Sequence, residues 1–173
     1  NIYRFDYDEN ENLRNYTAGN GSGSAYAYDI RGNVTSLDVG TANNKSILSE
    51  TYKYDKNNNQ TEILSYKEDG TNDTTAYVYD SADQLVKETI SNGTVKEYMY
   101  DGFGNRTSVK VTDPGKSPVQ TDAQFNAGNE LVKFGNETIT YDKDGNRLED
   151  DKYKYVWNEA GQLVAIKKKN EDT

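Results

Sequence analysis

The chain has 173 residues, a formal net charge of -9, no histidine, no cysteine, 33% hydrophobic residues and a mean hydropathy of -1.04. The missing residue types exclude a Ser-His-Asp or Cys-His nucleophile, any imidazole or thiolate metal site and any disulfide. The acidic balance argues against nucleic acid or an anionic membrane as partner, and no apolar run is long enough for a membrane helix.

So polar a chain would read as disordered on hydropathy alone. However, 12% of it is aromatic, and the aromatics fall in register with a recurring phrase: aromatic, Asp, two variable residues, Gly, Asn, one variable residue. Residues 1–19 form a degenerate first unit whose turn starts at Tyr7 and carries Glu11 where glycine is expected. Residues 19–24, Gly-Asn-Gly-Ser-Gly-Ser, read as a flexible loop. Tyr26 and Tyr28 then alternate into the first full copy, Tyr28-Asp29-Ile30-Arg31-Gly32-Asn33-Val34. A polar connection at 38–46 leads to Tyr52, Tyr54 and a turn with Asn58 at the glycine position. Another at 67–75 leads to Tyr77, Tyr79 and Asp83. Tyr98 precedes the second full copy, Tyr100-Asp101-Gly102-Phe103-Gly104-Asn105-Arg106. Pro114 and Pro118 lie in a loop at 113–122 that is expected to interrupt the array. Phe125 then opens a turn with Asn129. The chain finishes with the third full copy, Tyr141-Asp142-Lys143-Asp144-Gly145-Asn146-Arg147, and with Tyr153, Tyr155 and Trp157. The eight starts, at 7, 28, 54, 79, 100, 125, 141 and 157, are separated by 21, 26, 25, 21, 25, 16 and 16 residues. A fixed phrase at variable intervals implies a fixed turn joined by loops of changing length, and the final short intervals predict a tighter, more regular finish.

The phrase has the chemistry of a β-turn. Asp or Asn at its start accepts hydrogen bonds from the backbone ahead, and glycine supplies the left-handed residue that closes a type I turn with a bulge. Asn58, Asp83 and Asn129 are the residue types that best tolerate that conformation in its place; Glu11 is not. Aromatics two apart before each turn share one face of a strand. Nine residues after each start an apolar column follows: Tyr16, Leu37, Ile63, Val109, Phe134 and Ile166, broken at Glu88 and Asp150. Helix is not expected, since no stretch keeps a 3.6-residue apolar period. The fold is therefore read as an all-β array of antiparallel hairpins, with tyrosines packed at the ring and wet at the hydroxyl.

The candidate chemistry is thin. Paired carboxylates suffice for a glycosidase, but the aspartates recur once per turn for a structural reason. Asp6, Asp8 and Asn10 have calcium-loop spacing, yet Glu11 stands where glycine is required and Thr17 where an acid is. Asp55, Asn57 and Asn59 fail likewise, at Gln60 and Tyr66. Gly102-Phe103-Gly104 is too short for a dinucleotide loop. Asn33, Asn59 and Asn105 form glycosylation sequons as a by-product of the repeat. Lys167-Lys168-Lys169 reads as a solvated strand end. Exposed rings such as Tyr16, Tyr66 or Phe103 could stack on sugar, whereas the strand period favours most rings as core. No catalytic, cofactor-binding or metal-binding residue is assigned; the expectation is a non-enzyme without cofactor, and no ligand-binding residue is fixed.

The three full copies, together with Tyr155-Val156-Trp157-Asn158-Glu159-Ala160-Gly161-Gln162-Leu163, make the chain resemble the YD-repeat, or RHS-repeat, proteins, most of all bacterial wall-associated members. The resemblance covers nearly the whole chain and is weakest at 1–25 and 108–124. It implies that 1–173 is one YD/RHS-repeat segment of a larger protein, a curved sheet forming an arc of a β-spiral shell. In bacterial toxins of the family such a shell can enclose a C-terminal toxic domain. In wall-associated members the repeats lie outside the cell and contact neighbours or glycans. The family's proline- and aspartate-rich self-cleavage segment is not present, so no family catalytic residue carries over. The implied partners are the rest of the parent chain, including a C-terminal toxin domain, with glycan or cell-wall polymer as the alternative. The implied location is extracellular or in the bacterial cell wall, and the open strand edges predict self-association.

Overall fold

A computed structural model describes residues 2–43 and 45–169. Every regular element among them is a strand: β1 (Arg4–Tyr7), β2 (Leu13–Thr17), β3 (Gly23–Tyr28), β4 (Val34–Gly40), β5 (Ser46–Tyr54), β6 (Gln60–Tyr66), β7 (Asn72–Tyr79), β8 (Leu85–Ile90), β9 (Val95–Tyr100), β10 (Arg106–Thr112), β11 (Val119–Phe125), β12 (Leu131–Phe134), β13 (Glu137–Thr138), β14 (Thr140–Tyr141), β15 (Arg147–Glu149), β16 (Tyr153–Trp157) and β17 (Leu163–Lys168). Strand order follows chain order, with β1 to β13 in one antiparallel sheet and β14 to β17 in another. The chain divides into two compact units. One runs to Glu97 and takes in Thr112–Ser117; the other comprises Tyr98–Val111 and the chain from Pro118 onward.

Within the first unit each hairpin sets the aromatic two before the start opposite the residue nine after it. Phe5 faces Tyr16, Tyr26 faces Leu37, Tyr52 faces Ile63 and Tyr77 faces Glu88. The second unit repeats this with Ala123 opposite Phe134 and Tyr155 opposite Ile166. Each hairpin irregularity falls at the start residue, as in the shift at Tyr28 against Val34, which is where the glycine-closed bulge belongs. Cross-strand aromatic–aliphatic pairs of this kind contribute roughly 0.2–1 kcal/mol each.

The junctions between repeats keep one register. The residue eight after one start faces the residue three before the next. In the first unit these pairs are Asn15–Ala25, Ser36–Thr51, Glu62–Ala76 and Lys87–Glu97. In the second they are Ser108–Asp122, Lys133–Thr138 and Glu149–Lys154. Extra residues in a long interval lengthen the strands beyond this point, so β4 and β5 pair on as far as Gly40 with Ser46.

Burial is shallow: Ile139 is the sole buried hydrophobic side chain among the described residues, and the tyrosine face is half-buried. The connections are shorter than composition suggests. Gly23, Ser24, Asp38, Val39, Gly40 and Asn72–Thr75 all lie in strands, because a face open to water tolerates polar strand residues. The proline loop does not interrupt the array. Only 113–118 leave the strands, and β11 pairs with β10 from Val119 onward; both prolines fall outside the ladder, where their missing N–H costs nothing. The finish is shorter but less regular than expected. An interval of 16 leaves two connecting residues, Gly135-Asn136, in one case and three, Asp150-Asp151-Lys152, in the other, and the strands shrink to two or three residues at β13, β14 and β15.

Candidate functional site

The recurrent chemistry sits at the turns. Asp29 Oδ1 accepts the backbone N–H of Arg31 at 2.8 Å and of Asn33 at 2.9 Å, while its Oδ2 accepts the Asn33 amide at 3.0 Å. Asp8, Asp55, Asp101 and Asp142 make the same three bonds. Asp80, Asn126 and Asn158 make the two backbone bonds. The closing residue has positive φ in every copy: Gly32, Gly104, Gly145 and Gly161, but also Glu11 at 65°, Asn58 at 69°, Asp83 at 59° and Asn129 at 65°. Glu11 therefore adopts the strained conformation its residue type argues against, held by the Asp8 scaffold and by its own N–H bond to the Asp8 carbonyl.

These bonds shift the carboxylates. The Asn33 amide, together with backbone N–H groups, outweighs desolvation and holds Asp29 below the usual range; Asp8, Asp101 and Asp142 are held down in the same way by Asn12, Asn105 and Asn146. At Asp55 desolvation is the largest influence and opposes ionisation, yet the bonds from Asn59 and Asn57 prevail. The sequon amides of Asn33, Asn59 and Asn105 are thus already donors to Asp29, Asp55 and Asp101.

Successive turns are also tied together. Asn33 and Arg31 donate to Asn58 Oδ1, each at 3.1 Å. Asn57 and Asn59 donate to Asp83 Oδ1 at 2.8 and 2.6 Å, and Asn105 donates to Asn129 Oδ1. This explains the non-glycine residues at three closing positions: each is the acceptor for the turn before it. Shallow clefts lie between turns, one of about 530 Å³ lined by Phe103, Phe125 and Asn129. Phe103 is 88% exposed there. Of the other rings singled out, Tyr66 is 45% exposed, whereas Tyr16 is half-buried under Phe5 and Tyr3, with ring centroids at 5.3 and 6.1 Å.

Four of the start tyrosines are not wet at the hydroxyl. Tyr28 donates to the Leu13 carbonyl at 2.9 Å, Tyr54 to Val34 at 2.8 Å, Tyr79 to Gln60 at 2.9 Å and Tyr141 to Leu131 at 3.0 Å, and the Trp157 indole donates to Arg147 at 2.7 Å. In each case the acceptor lies six residues after the previous start. It is a carbonyl at the turn end of the junction, where the strand ladder has run out. Burial, first of all, raises Tyr28, Tyr54 and Tyr79 above the ordinary tyrosine range.

Both breaks in the apolar column are satisfied polar sites. Glu88 pairs with Lys96 at 3.0 Å, directly opposite in register. Asp150, 4% exposed, accepts from the backbone of Lys152 and Tyr153, from the Tyr155 hydroxyl and from Arg147 at 2.7–2.8 Å. Desolvation opposes its ionisation, but those donors hold its carboxyl at about 2. This cluster escaped sequence reasoning; its one signal was an acid in an apolar column. Lys167 and Lys168 lie in exposed β17, and Lys169 reaches Glu149 at 3.4 Å. Among the described residues no three acidic side chains converge as a cation site would require. The carboxylates most regularly placed are committed to turn geometry.

The sequence matches the teneurin YD-shell family over residues 27–172. It is 46% identical over 170 residues to the tRNA3(Ser)-specific nuclease WapA of Bacillus spizizenii and to the tRNA nuclease WapA of Bacillus subtilis, matching 98% of this chain but 7% of either relative. The chain thus spans a small part of the curated relatives it matches. The TcdB2-TccC3-TEV crystal structure superposes with a TM-score of 0.75 at 15% identity, over 99% of this chain and 10% of that one, and the TcdB2-TccC3-Cdc42 structure does so with a TM-score of 0.75 at 16% identity.

Proposed function

The chain belongs to the teneurin YD-shell family, and from that premise we propose that it is non-catalytic wall material of a secreted or cell-wall-associated bacterial toxin. In this reading residues 1–173 are one stretch of the shell that encloses a toxic domain carried by the same parent chain. The observation that carries the proposal is the commitment of side chains: Asp, Asn and Tyr are repeatedly used to fix turns and to join one hairpin to the next. The nuclease named for the relatives is then the payload's activity, not that of this segment. The test is a parent protein with its terminal domain intact, compared with one lacking this segment. Protease sensitivity and activity of the terminal domain should both rise on deletion. Equal protection with and without the segment overturns the proposal.

A second reading, an adhesion module for glycan or wall polymer, draws on Phe103, whose exposed ring overhangs the cleft with Phe125 and Asn129. Calorimetry with wall polysaccharide fragments should then show heat that Phe103→Ala removes. No heat with the unaltered chain sinks this reading.

A further inference from the structure

Besides the turns that open each repeat, junction turns of the first unit share a second phrase: Asx, Gly, then a hydroxyl residue. Asn20-Gly21-Ser22 joins β2 to β3, Asp69-Gly70-Thr71 joins β6 to β7, and Asn92-Gly93-Thr94 joins β8 to β9. The glycines have positive φ, at 83°, 82° and 92°, and their N–H groups donate to the carbonyls of Ala18, Lys67 and Ile90. The Asx Oδ1 accepts the backbone N–H two residues on, at 3.1, 2.9 and 2.8 Å. That bond closes a ring through the glycine peptide, so the Asx Cγ is folded back over the glycine nitrogen. An asparagine held there can exchange its amide for that nitrogen, because the reacting atoms are already neighbours and glycine has no Cβ to obstruct them.

The two asparagines differ in what surrounds the amide. Asn20 Oδ1 takes a second bond, from the Ser22 hydroxyl at 2.7 Å. The equivalent hydroxyl of Thr94 donates instead to Asp113 at 3.1 Å. Ser91, just before Asn92, is pinned by its N–H bond to the Thr74 carbonyl at 2.7 Å, whereas Asn20 follows the freer Gly19. Both glycines are approached from the side, by Ala42 and by Pro114, each with an atom 2.9 Å from where a Cβ would stand. Crowding therefore does not separate the two sites; the hydroxyl and the flanking residue do.

We infer that Asn20 is a self-modification site, converting to aspartate and isoaspartate through a cyclic imide, and that Asn92 is protected from the same reaction. The Gly21 nitrogen gives its proton to solvent and bonds to Asn20 Cγ. Charge developing on Oδ1 meets the two Ser22 donors already aimed at it. The Cγ–Nδ2 bond then breaks, and the amide nitrogen takes a proton from solvent and leaves as ammonia. Water opens the imide at Cγ to give aspartate, or at the backbone carbonyl to give isoaspartate. The sum is one water consumed and one ammonia released, and the formal net charge falls one unit below -9. Asp69 shows what becomes of the aspartate product. The Thr71 hydroxyl and N–H donate to its carboxylate at 2.6 and 2.9 Å and hold it below the usual range, so this turn keeps its form around an aspartate. Isoaspartate instead lengthens the main chain by a carbon and carries Gly21 away from the Ala18 carbonyl, which opens the end of the β2–β3 hairpin.

The experiment incubates the full chain at mildly alkaline pH, folded and in urea, and follows both asparagines by peptide mapping with mass spectrometry. In urea the two should react at similar rates, since each precedes glycine. In the folded chain Asn20 should react several-fold faster than Asn92. Equal folded rates, or a faster Asn92, overturn the inference. Ser22→Ala keeps the backbone donor and removes the hydroxyl, and it should slow Asn20 about fivefold, the worth of one net hydrogen bond. Ser22→Thr should restore the rate. If Ser22→Ala merely loosened the turn, the rate would move toward that in urea; an unchanged or a raised rate refutes the role given to the hydroxyl. Asp113→Ala releases the Thr94 hydroxyl and should speed Asn92, and an unchanged Asn92 rate counts against the protection.

Discussion

Replacing the left-handed closing residue by glycine should have opposite effects at Glu11 and at Asp83. An L-residue pays roughly 1–2 kcal/mol for the left-handed conformation, and glycine's greater unfolded freedom returns about 0.5–1 kcal/mol of that. Glu11 sits at φ 65°, and among the described residues no other turn donates a hydrogen bond to its side chain. Glu11→Gly should therefore stabilise its hairpin by about 0.5–1 kcal/mol. Asp83 sits at φ 59°, but aspartate adopts that conformation more cheaply, and its Oδ1 accepts from Asn57 and Asn59. Net values of about 0.5–1.5 kcal/mol per bond, taken low because both are exposed, make Asp83→Gly a loss of about 1 kcal/mol. Stability in a repeat array is local, so amide exchange is the assay, resolved over β1–β2 for the first variant and β6–β8 for the second. Protection should rise several-fold in the first case and fall several-fold in the second. If Asp83→Gly stabilises as much as Glu11→Gly, the turn-to-turn bonds contribute nothing and the explanation of Asn58, Asp83 and Asn129 fails.

Tyr54→Phe deletes the donor to the Val34 carbonyl and should cost about 1 kcal/mol, seen as a thermal midpoint lowered by roughly 2–4 °C; an unchanged midpoint would mean water replaces the hydroxyl at no cost. Asp29, Asp101 and Asp142 have folded pKa values below 3.8, so the stability they contribute is complete above that value and lost as pH falls through their lowered values. An acid titration should therefore show unfolding below pH 3.8, and the asparagine variants should lose stability at neutral pH while flattening that acid limb. Asp150→Asn should flatten it furthest down, since its carboxyl stays ionised to about 2; an unchanged acid limb would contradict the donor cluster around it. Gly93→Ala should destabilise on two counts, since φ is 92° and the new Cβ would stand 2.9 Å from Pro114 Cγ. Adding Pro114→Ala should recover only the part due to the contact, and complete recovery would mean the backbone conformation is unstrained.

The hairpin array was legible because the phrase encodes its own turn: Asp, Gly and Asn at fixed offsets specify the bulge, and the apolar column nine residues on specifies the pairing. Loop limits were less legible. Ser24, Asp38 and Thr74 lie in strands because one face is open to water, which removes the hydrophobic alternation that would mark them. The destination of the tyrosine hydroxyls was invisible for a different reason. It depends on a carbonyl in the preceding repeat, at a sequence distance that changes from 10 residues for Tyr141 to 20 for Tyr54. The same holds for Asp83, whose residue type fits a turn but whose partners Asn57 and Asn59 belong to the turn before.

That variable distance is also the reason the intervals can vary. The pairing of position eight with position three before the next start holds at intervals of 16, 21, 25 and 26 residues. Everything that differs lies beyond it, in strand extension or in the connecting loop. Insertions such as the 113–118 proline loop therefore leave the junction alone, and the hydroxyl of Thr94, 8% exposed, even donates to Asp113 of that loop at 3.1 Å. A chain built this way can lengthen or shorten its hairpins without changing how they join. On the proposed reading as shell wall, which must cover area, the junction is the feature under constraint. Removing the Tyr28, Tyr54 or Tyr79 hydroxyl should accordingly lower the thermal midpoint more than truncating an exposed side chain of the 113–118 loop such as Ser117.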